Sequence, residues 1–233
     1  MEDDSVQIDP ATVKLTACQR RLLGVLVEKG MTTPEQYPLS LKSLTTGANQ
    51  KSNRDPVTHY SEEQIEAEAD TLREMQFVAV VHTSGGRTER YRHLLRHRLP
   101  LNEVQLAITA ELMLRGQQQM GELRARVSRM QPLDSIDQLR EELQQLVSKG
   151  VVLSSNSLEK RGVEIDHCWY QEPRQRQWGG ALSEPAAEAS HTSLPLQSGA
   201  QLEIEQLKRR VDRLETILIK ELGVNLDDFS EEN

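Results

Sequence analysis

The sequence predicts a mainly α protein with small β-hairpins: an α+β fold of two tandem winged-helix domains, of the helix-turn-helix type, plus a C-terminal coiled-coil helix. Three observations predict it. An apolar helical pattern recurs without a gap about 86 residues further on, each copy ends in a further helix followed by a β-rich hairpin pattern, and a heptad pattern appears near the C-terminus.

The first periodic segment runs from Leu15 to Gly30, with Thr16 as N-cap, an apolar stripe of Leu22, Leu23, Leu26 and Val27, and Gly30 as the stop. Its counterpart runs from Leu101 to Gly116, capped by Asn102, with Leu106, Ile108, Leu112 and Met113 as the apolar set. The two align with Gln19 on Gln105 and Leu22 on Ile108. A second helical piece follows in each copy, Leu39 to Thr46 and Met120 to Met130. The third helix is read at Ser61 to Gln76, on the spacing of Ile65, Ala69 and Leu72, and at Asp134 to Lys149, on that of Leu139, Leu143 and Leu146.

Extended stretches then alternate with turn residues. Phe77 to Val81 and Arg90 to Leu94 flank Ser84-Gly85-Gly86, while Val151 to Leu153 and His167 to Gln171 flank a longer turn from Ser154 to Gly162. Three helices and a hairpin, twice over, is the order of a winged helix. Between first and third helices the repeat offset drops from about 86 to about 74 residues, which predicts a polar insertion of roughly a dozen residues in the first copy, Thr46 to Tyr60.

The expected domains are an acidic disordered N-terminus at 1–14, winged-helix domains at 15–100 and 101–172, a flexible linker at 173–200, a coiled-coil helix at 201–223 and an acidic tail at 224–233. The chain of 233 residues carries a net charge of −8. Only residues 15–100 lean basic, with 12 Lys and Arg against 10 Asp and Glu, so a nucleic-acid surface is expected there if anywhere. No apolar run is long enough for a membrane span, the N-terminus lacks the pattern of a signal peptide, and Cys18 and Cys168 form no CxxC. Those features predict a cytoplasmic protein with two buried thiols and no membrane partner.

Several short stretches resemble the YceH family of uncharacterised bacterial proteins. They are Leu15-Thr16, the loop Asn49-Gln50-Lys51-Ser52-Asn53-Arg54-Asp55-Pro56-Val57, and the wing Ser84-Gly85-Gly86-Arg87 with Tyr91. Leu112-Met113-Leu114-Arg115-Gly116, followed by Gly121-Glu122-Leu123-Arg124, completes the set. The resemblance covers about residues 15–172. It implies a tandem winged-helix fold and cytoplasmic residence, and no activity. Gln117-Gln118-Gln119-Met120 departs from the family, where a proline-containing turn is expected.

Candidate nucleic-acid contacts are Asn49, Gln50, Lys51, Asn53 and Arg54 of the insertion and Arg87, Arg90 and Arg92 of the wing, where Arg96, Arg98, His93 and His97 also cluster. Amides and guanidiniums reach base edges and phosphates. The competing reading is that Asn49, Asn53 and Asp55 only form turns, and that Ser61 with Gln64 caps the third helix. That helix is acidic on its outward face through Glu62, Glu63, Glu66, Glu68, Asp70 and Glu74, which opposes major-groove docking. No catalytic motif and no metal-spaced Cys/His group is present. His167 beside Cys168 is the nearest approach, and adjacent strand residues point to opposite faces, so neither enzyme activity, metal nor cofactor is expected.

In the tail, Ile204, Val211 and Leu218 at a and Leu207 and Leu214 at d fit a parallel homodimer through the C-terminal helix, with a lone amphipathic helix folding back on the winged domains as the alternative. The leading expectation is a DNA-associated, regulator-like protein with double-stranded DNA as partner. The alternative is a protein-interaction adaptor that does not bind DNA. A continuous positive surface joining Lys51 and Arg54 to Arg87, Arg90 and Arg92 favours the first, and its interruption favours the second.

Overall fold

A computed structural model of the protein describes residues 7–82 and 88–171. In chain order these form α1 (Ala17–Thr32), β1 (Leu39–Ser40), α2 (Leu41–Ala48), α3 (Glu62–Glu74), β2 (Val78–His82), β3 (Glu89–His93) and the short α4 (Leu95–Arg98). The order then begins again with α5 (Glu103–Arg115), β4 (Gln118–Gln119), α6 (Met120–Val127), α7 (Ile136–Ser148), β5 (Val152–Ser154) and β6 (Glu164–His167). The helices are joined by two small antiparallel sheets with the same topology, β1-β3-β2 and β4-β6-β5, so the described part is α+β.

Local chemistry fixes most helix starts. Thr16, Ser61 and Asn102 each accept from the backbone N–H three residues on, and Gln19, Gln64 and Gln105 answer back, so α1, α3 and α5 all open on capping boxes. The first and third helices of each copy are then tied by the same bond: Gln19 Nε2 donates to Glu68 Oε2 at 2.8 Å, and Gln105 Nε2 to Glu142 Oε2 at 2.8 Å. The duplication persists at the helix ends, where Gln76 (φ 60°) and Gly150 (φ 66°) turn left-handed before Phe77 and Val151 bond back to Leu72 and Leu146.

The two hairpins keep the same cross-strand register. Val80 faces Tyr91 in the first copy and Ser154 faces Ile165 in the second, both offset by 74 residues. The connection between β5 and β6 is longer than that between β2 and β3, as expected, but the second strand is shifted: Glu164–His167 is already strand, and pairing ends at His167 rather than continuing to Gln171. Each sheet also has a two-residue third strand absent from the expectation, with Leu39 facing Tyr91 and Gln118 facing Ile165. The dozen extra residues of the first copy are divided. The offset falls from 86 residues at Gln19 and Gln105 to 79 at Leu41 and Met120, then to 74 at Glu68 and Glu142, so seven lie before α2 and five after it.

Residues 7–14 are not the disordered leader expected. Pro10–Thr12 forms a 3-10 turn, Pro10 and Val13 are buried, and the fully buried Trp169 donates its indole N–H to the Pro10 carbonyl at 2.9 Å. Leu15 then bonds through its N–H to the Trp169 carbonyl at 3.1 Å and through its carbonyl to Gln171 N–H at 3.2 Å.

The two copies share one core. Buried residues from Val13 to Trp169 form a single apolar cluster, with α1 packed along α5 as its spine. Gly24 allows the approach, because a Cβ there would sit 2.8 Å from Leu114 Cγ and 3.3 Å from the Ala110 carbonyl oxygen.

Candidate functional site

The predicted contact loop turns inward. α2 ends at Ala48, so the carbonyls of residues 47 and 48 lack a further turn of helix to supply donors, and those of residues 53 and 56 lie in the loop beyond. Arg54 donates from Nε to the Gly47 carbonyl at 2.9 Å and from a terminal nitrogen to its neighbour Asn53 at 2.7 Å, and its other terminal nitrogen pairs with Glu28 of α1 at 2.6 Å. Only 6% of Arg54 is exposed. Arg21 of α1 supplies the carbonyls of Ala48 at 3.0 Å and Pro56 at 2.7 Å.

The asparagines are spent in the same way. Asn49 donates to the Tyr60 carbonyl and accepts from Tyr60 N–H, both at 2.8 Å, bridging the loop. Asn53, at φ 60°, accepts at its side-chain oxygen from Arg115 at 2.5 Å and Arg129 at 3.0 Å, both in the second copy. Arg54, Asn49 and Asn53 are thus corrected from outward contacts to internal donors and acceptors. A polar composition reads as surface, whereas here it serves exposed backbone ends and a junction. Lys51 remains exposed, and half-buried Gln50 bonds Ser52.

On the wing, Tyr91 faces the core, so by strand alternation Arg90 and Arg92 lie on the outer face. Arg92 is exposed, while Arg90 is half-buried and donates to the Pro38 carbonyl at 2.9 Å. Arg96 pairs with Glu103 at 2.6 Å. Burial, with the nearby Arg96, His97 and Arg92 charges, pushes the His93 imidazole down to about 4, so it is neutral near pH 7. Arg87 and the heptad residues Ile204, Leu207, Val211, Leu214 and Leu218 lie outside the described residues. On α3, Glu62, Glu63, Glu66 and Glu74 are exposed, and the single cation Arg73 pairs with Asp70 at 3.2 Å.

Sequence reasoning passed over the seam between the copies. There a cavity of about 140 Å³ is lined by Arg20 and Arg21 from α1, Tyr60 and Asp55 from the loop, Arg115 from the end of α5, and His167 and Tyr170. The Arg20 guanidinium lies 4.4 Å from the Tyr170 ring centroid, and Tyr170 stacks on His167 at 4.1 Å. Arg115 pairs with the buried Glu111, which also faces Arg129 at 3.9 Å. Burial pushes the Glu111 carboxyl up against the pull of Arg115 and Arg129. Burial, then the charge of Arg54, pushes Arg21 below the usual guanidinium range. One signal for this seam was legible: Arg20-Arg21 sits beside the apolar stripe of α1, where a charge must find partners.

Cys18 is buried beside Glu68 and its thiol is pushed up to about 12, which leaves it inert, whereas Cys168 is only half-buried, a correction to the expected pair of buried thiols. Among the described residues no group of three His, Cys, Asp or Glu could hold a metal ion, and no helix is long and apolar enough to cross a membrane.

The geometry defines a duplicated α+β protein whose two units are fused along one core and clasped by a polar loop. Comparison with known proteins places it further. Residues 15–162 match the family described as "Protein of unknown function, DUF480", and the chain belongs to that family. A UPF0502 protein of Geotalea daltonii is 45% identical over 59% of this chain and 62% of its own length. Another, of Rhodopirellula baltica, is 44% identical over 75% of this chain and 71% of its own. A third, of Citrobacter koseri, is 33% identical over 86% of this chain and 96% of its own. The chain thus spans about three fifths of the first relative's length, and the family agrees with the YceH resemblance carried by the motifs.

Proposed function

We propose that this chain is a non-enzymatic tandem winged-helix protein of the cytoplasm that works as a protein-interaction adaptor, taking a basic partner surface on the outer face of α3. The observation that carries this reading is that face itself. Glu62, Glu63, Glu66 and Glu74 are exposed there, with Arg73 already answered by Asp70. In a DNA-reading winged helix this helix lies in the major groove, where a row of carboxylates repels the phosphates. The positive surface needed for a duplex is also broken, because Arg54 is buried against Glu28. The heptad positions Ile204 to Leu218 would join two chains and double the valency of the adaptor.

A second reading, DNA association through the wing, is favoured by Arg92, exposed on the outer sheet face next to half-buried Arg90. One experiment separates the two: anisotropy of a labelled duplex titrated with the full chain across a salt series, for the wild type and for Arg92→Ala. The adaptor reading expects no saturable binding even at low salt. It also expects that a partner cross-linked to the wild type in cells is lost from a Glu62→Gln, Glu63→Gln, Glu66→Gln variant. Salt-dependent duplex binding whose log-log slope flattens by about 0.9 in Arg92→Ala would overturn it in favour of DNA.

A further inference from the structure

The cavity at the seam brings cations of both copies together. Three guanidiniums, those of Arg20, Arg21 and Arg115, line a space of about 140 Å³, and one carboxylate, Asp55, shares the lining. All three cations have structural duties. Arg21 holds the carbonyls of Ala48 and Pro56, and Arg115 pairs with Glu111 and donates to Asn53. Arg20 in turn donates to the Leu15 carbonyl at 2.6 Å. These partners do not exhaust the site. Arg21 is 3% exposed, and its buried Nε has no hydrogen-bond partner. A desolvated donor left unpaired costs about 1–3 kcal/mol, so such a group calls for an acceptor.

The charge balance points to what that acceptor is. Burial and the Arg54 charge disfavour the Arg21 cation and outweigh the opposing pull of Tyr60 and Asp55, while Glu111 pairs with Arg115 and Asp166 accepts from Tyr170 at 2.9 Å. Tyr60, Tyr170 and His167 contribute aromatic groups to the lining beside Pro56 and Met113. A cleft lined by three arginines suits an oxyanion, because hydrogen bonds from a cationic donor to an anion are about twice as strong as neutral ones.

We propose that the seam is a binding site for a phosphate group, whether free phosphate or that of a small phosphorylated metabolite, held by Arg20 and Arg21 of the first copy and Arg115 of the second. An anion seated there spans both copies, so its binding free energy adds directly to the stability of the fused body. This site is independent of what the outer face of α3 binds, and the failure of either reading leaves the other standing.

The test is thermal unfolding of the full chain titrated with inorganic phosphate against chloride at constant ionic strength and pH. Parallel arms use a sugar phosphate and acetate. The expected result is a saturable rise in Tm with inorganic phosphate or the sugar phosphate, whichever binds tighter marking the source, and no saturable rise with acetate. Arg20→Gln should weaken the apparent affinity about tenfold, the loss of one charge-assisted contact, and Arg115→Lys, which keeps the charge and loses the fork, should weaken it less. Arg92→Gln, on the outer sheet face, should leave it unchanged. A rise that is linear in concentration, or equal in all variants, is a general salt effect and overturns the proposal, as does saturation by acetate alone. The wild-type titration is decisive by itself should a variant fail to fold.

Discussion

Arg54 illustrates how a residue's neighbours decide its role. In sequence it stands in a run of turn formers and amides and reads as a contact to phosphate; in the fold its side chain is sealed against Glu28, whose own side chain is 13% exposed. Removing one member of such a pair leaves an uncompensated charge, which costs about 3–5 kcal/mol when fully buried and less where water reaches the survivor. Arg54→Met should therefore lower the urea midpoint of unfolding, and Arg54→Met with Glu28→Met should recover much of the loss, because the orphaned carboxylate is gone. An unchanged midpoint in the single variant would show that the pair contributes nothing to the fold. The residues that sequence placed well are those whose role is local. Thr16, Ser61 and Asn102 cap helices three residues away, so the pattern and the bond lie within one turn. Arg54 and Asn53 depend on Glu28, Arg115 and Arg129, which no local pattern connects to them.

Among the elements, α1 and α5 carry the largest share of the packing, and their closeness depends on one absent side chain. Gly24→Ala sets two effects against each other. A mid-helix alanine gains roughly 0.5–1 kcal/mol over glycine in helix propensity. The new Cβ would stand 2.8 Å from Leu114 Cγ, and Leu114 is fully buried and has nowhere to swing, so overpacking at about 1–3 kcal/mol wins. The variant should be less stable by chemical denaturation, and a gain in stability would mean that the helices separate freely. Element boundaries were legible where apolar periodicity was long, as in α1, α3, α5 and α7. They failed at the second hairpin, where the sequence pattern places the strand at His167 to Gln171 while Glu164-Ile165-Asp166-His167, poor in β-branched residues, is the strand. The two-residue strands β1 and β4 were invisible because their partners, Tyr91 and Ile165, lie about 50 residues away.

For the body as a whole, duplication was legible but fusion was not. The aligned helices predicted two domains with a boundary near residue 100, whereas one apolar cluster runs through both copies and the Asn53 clasp joins them. Periodicity records which face of a helix is apolar and not whether the covering surface belongs to its own repeat. In a shared core neither copy buries its first helix alone, so the described body should unfold in one cooperative step, with calorimetric and van't Hoff enthalpies in agreement. Two resolved transitions would show instead that each repeat is stable by itself.

The bridge between Leu15 and the segment Trp169–Gln171 sets a schedule for how this chain matures. Leu15 leaves the ribosome ahead of most of the core, yet its N–H finds its partner only after Trp169 has been made, and its carbonyl its backbone partner only after Gln171. The stretch around it therefore waits through the synthesis of both copies, and at about 5–20 residues per second that wait is of the order of ten seconds or more. For the first part of that interval the apolar stripe of α1 lacks α5, its principal cover, and throughout it Trp169 has not yet closed over Pro10. Nascent chains stalled before residue 103 should be the species of this protein most in need of a chaperone.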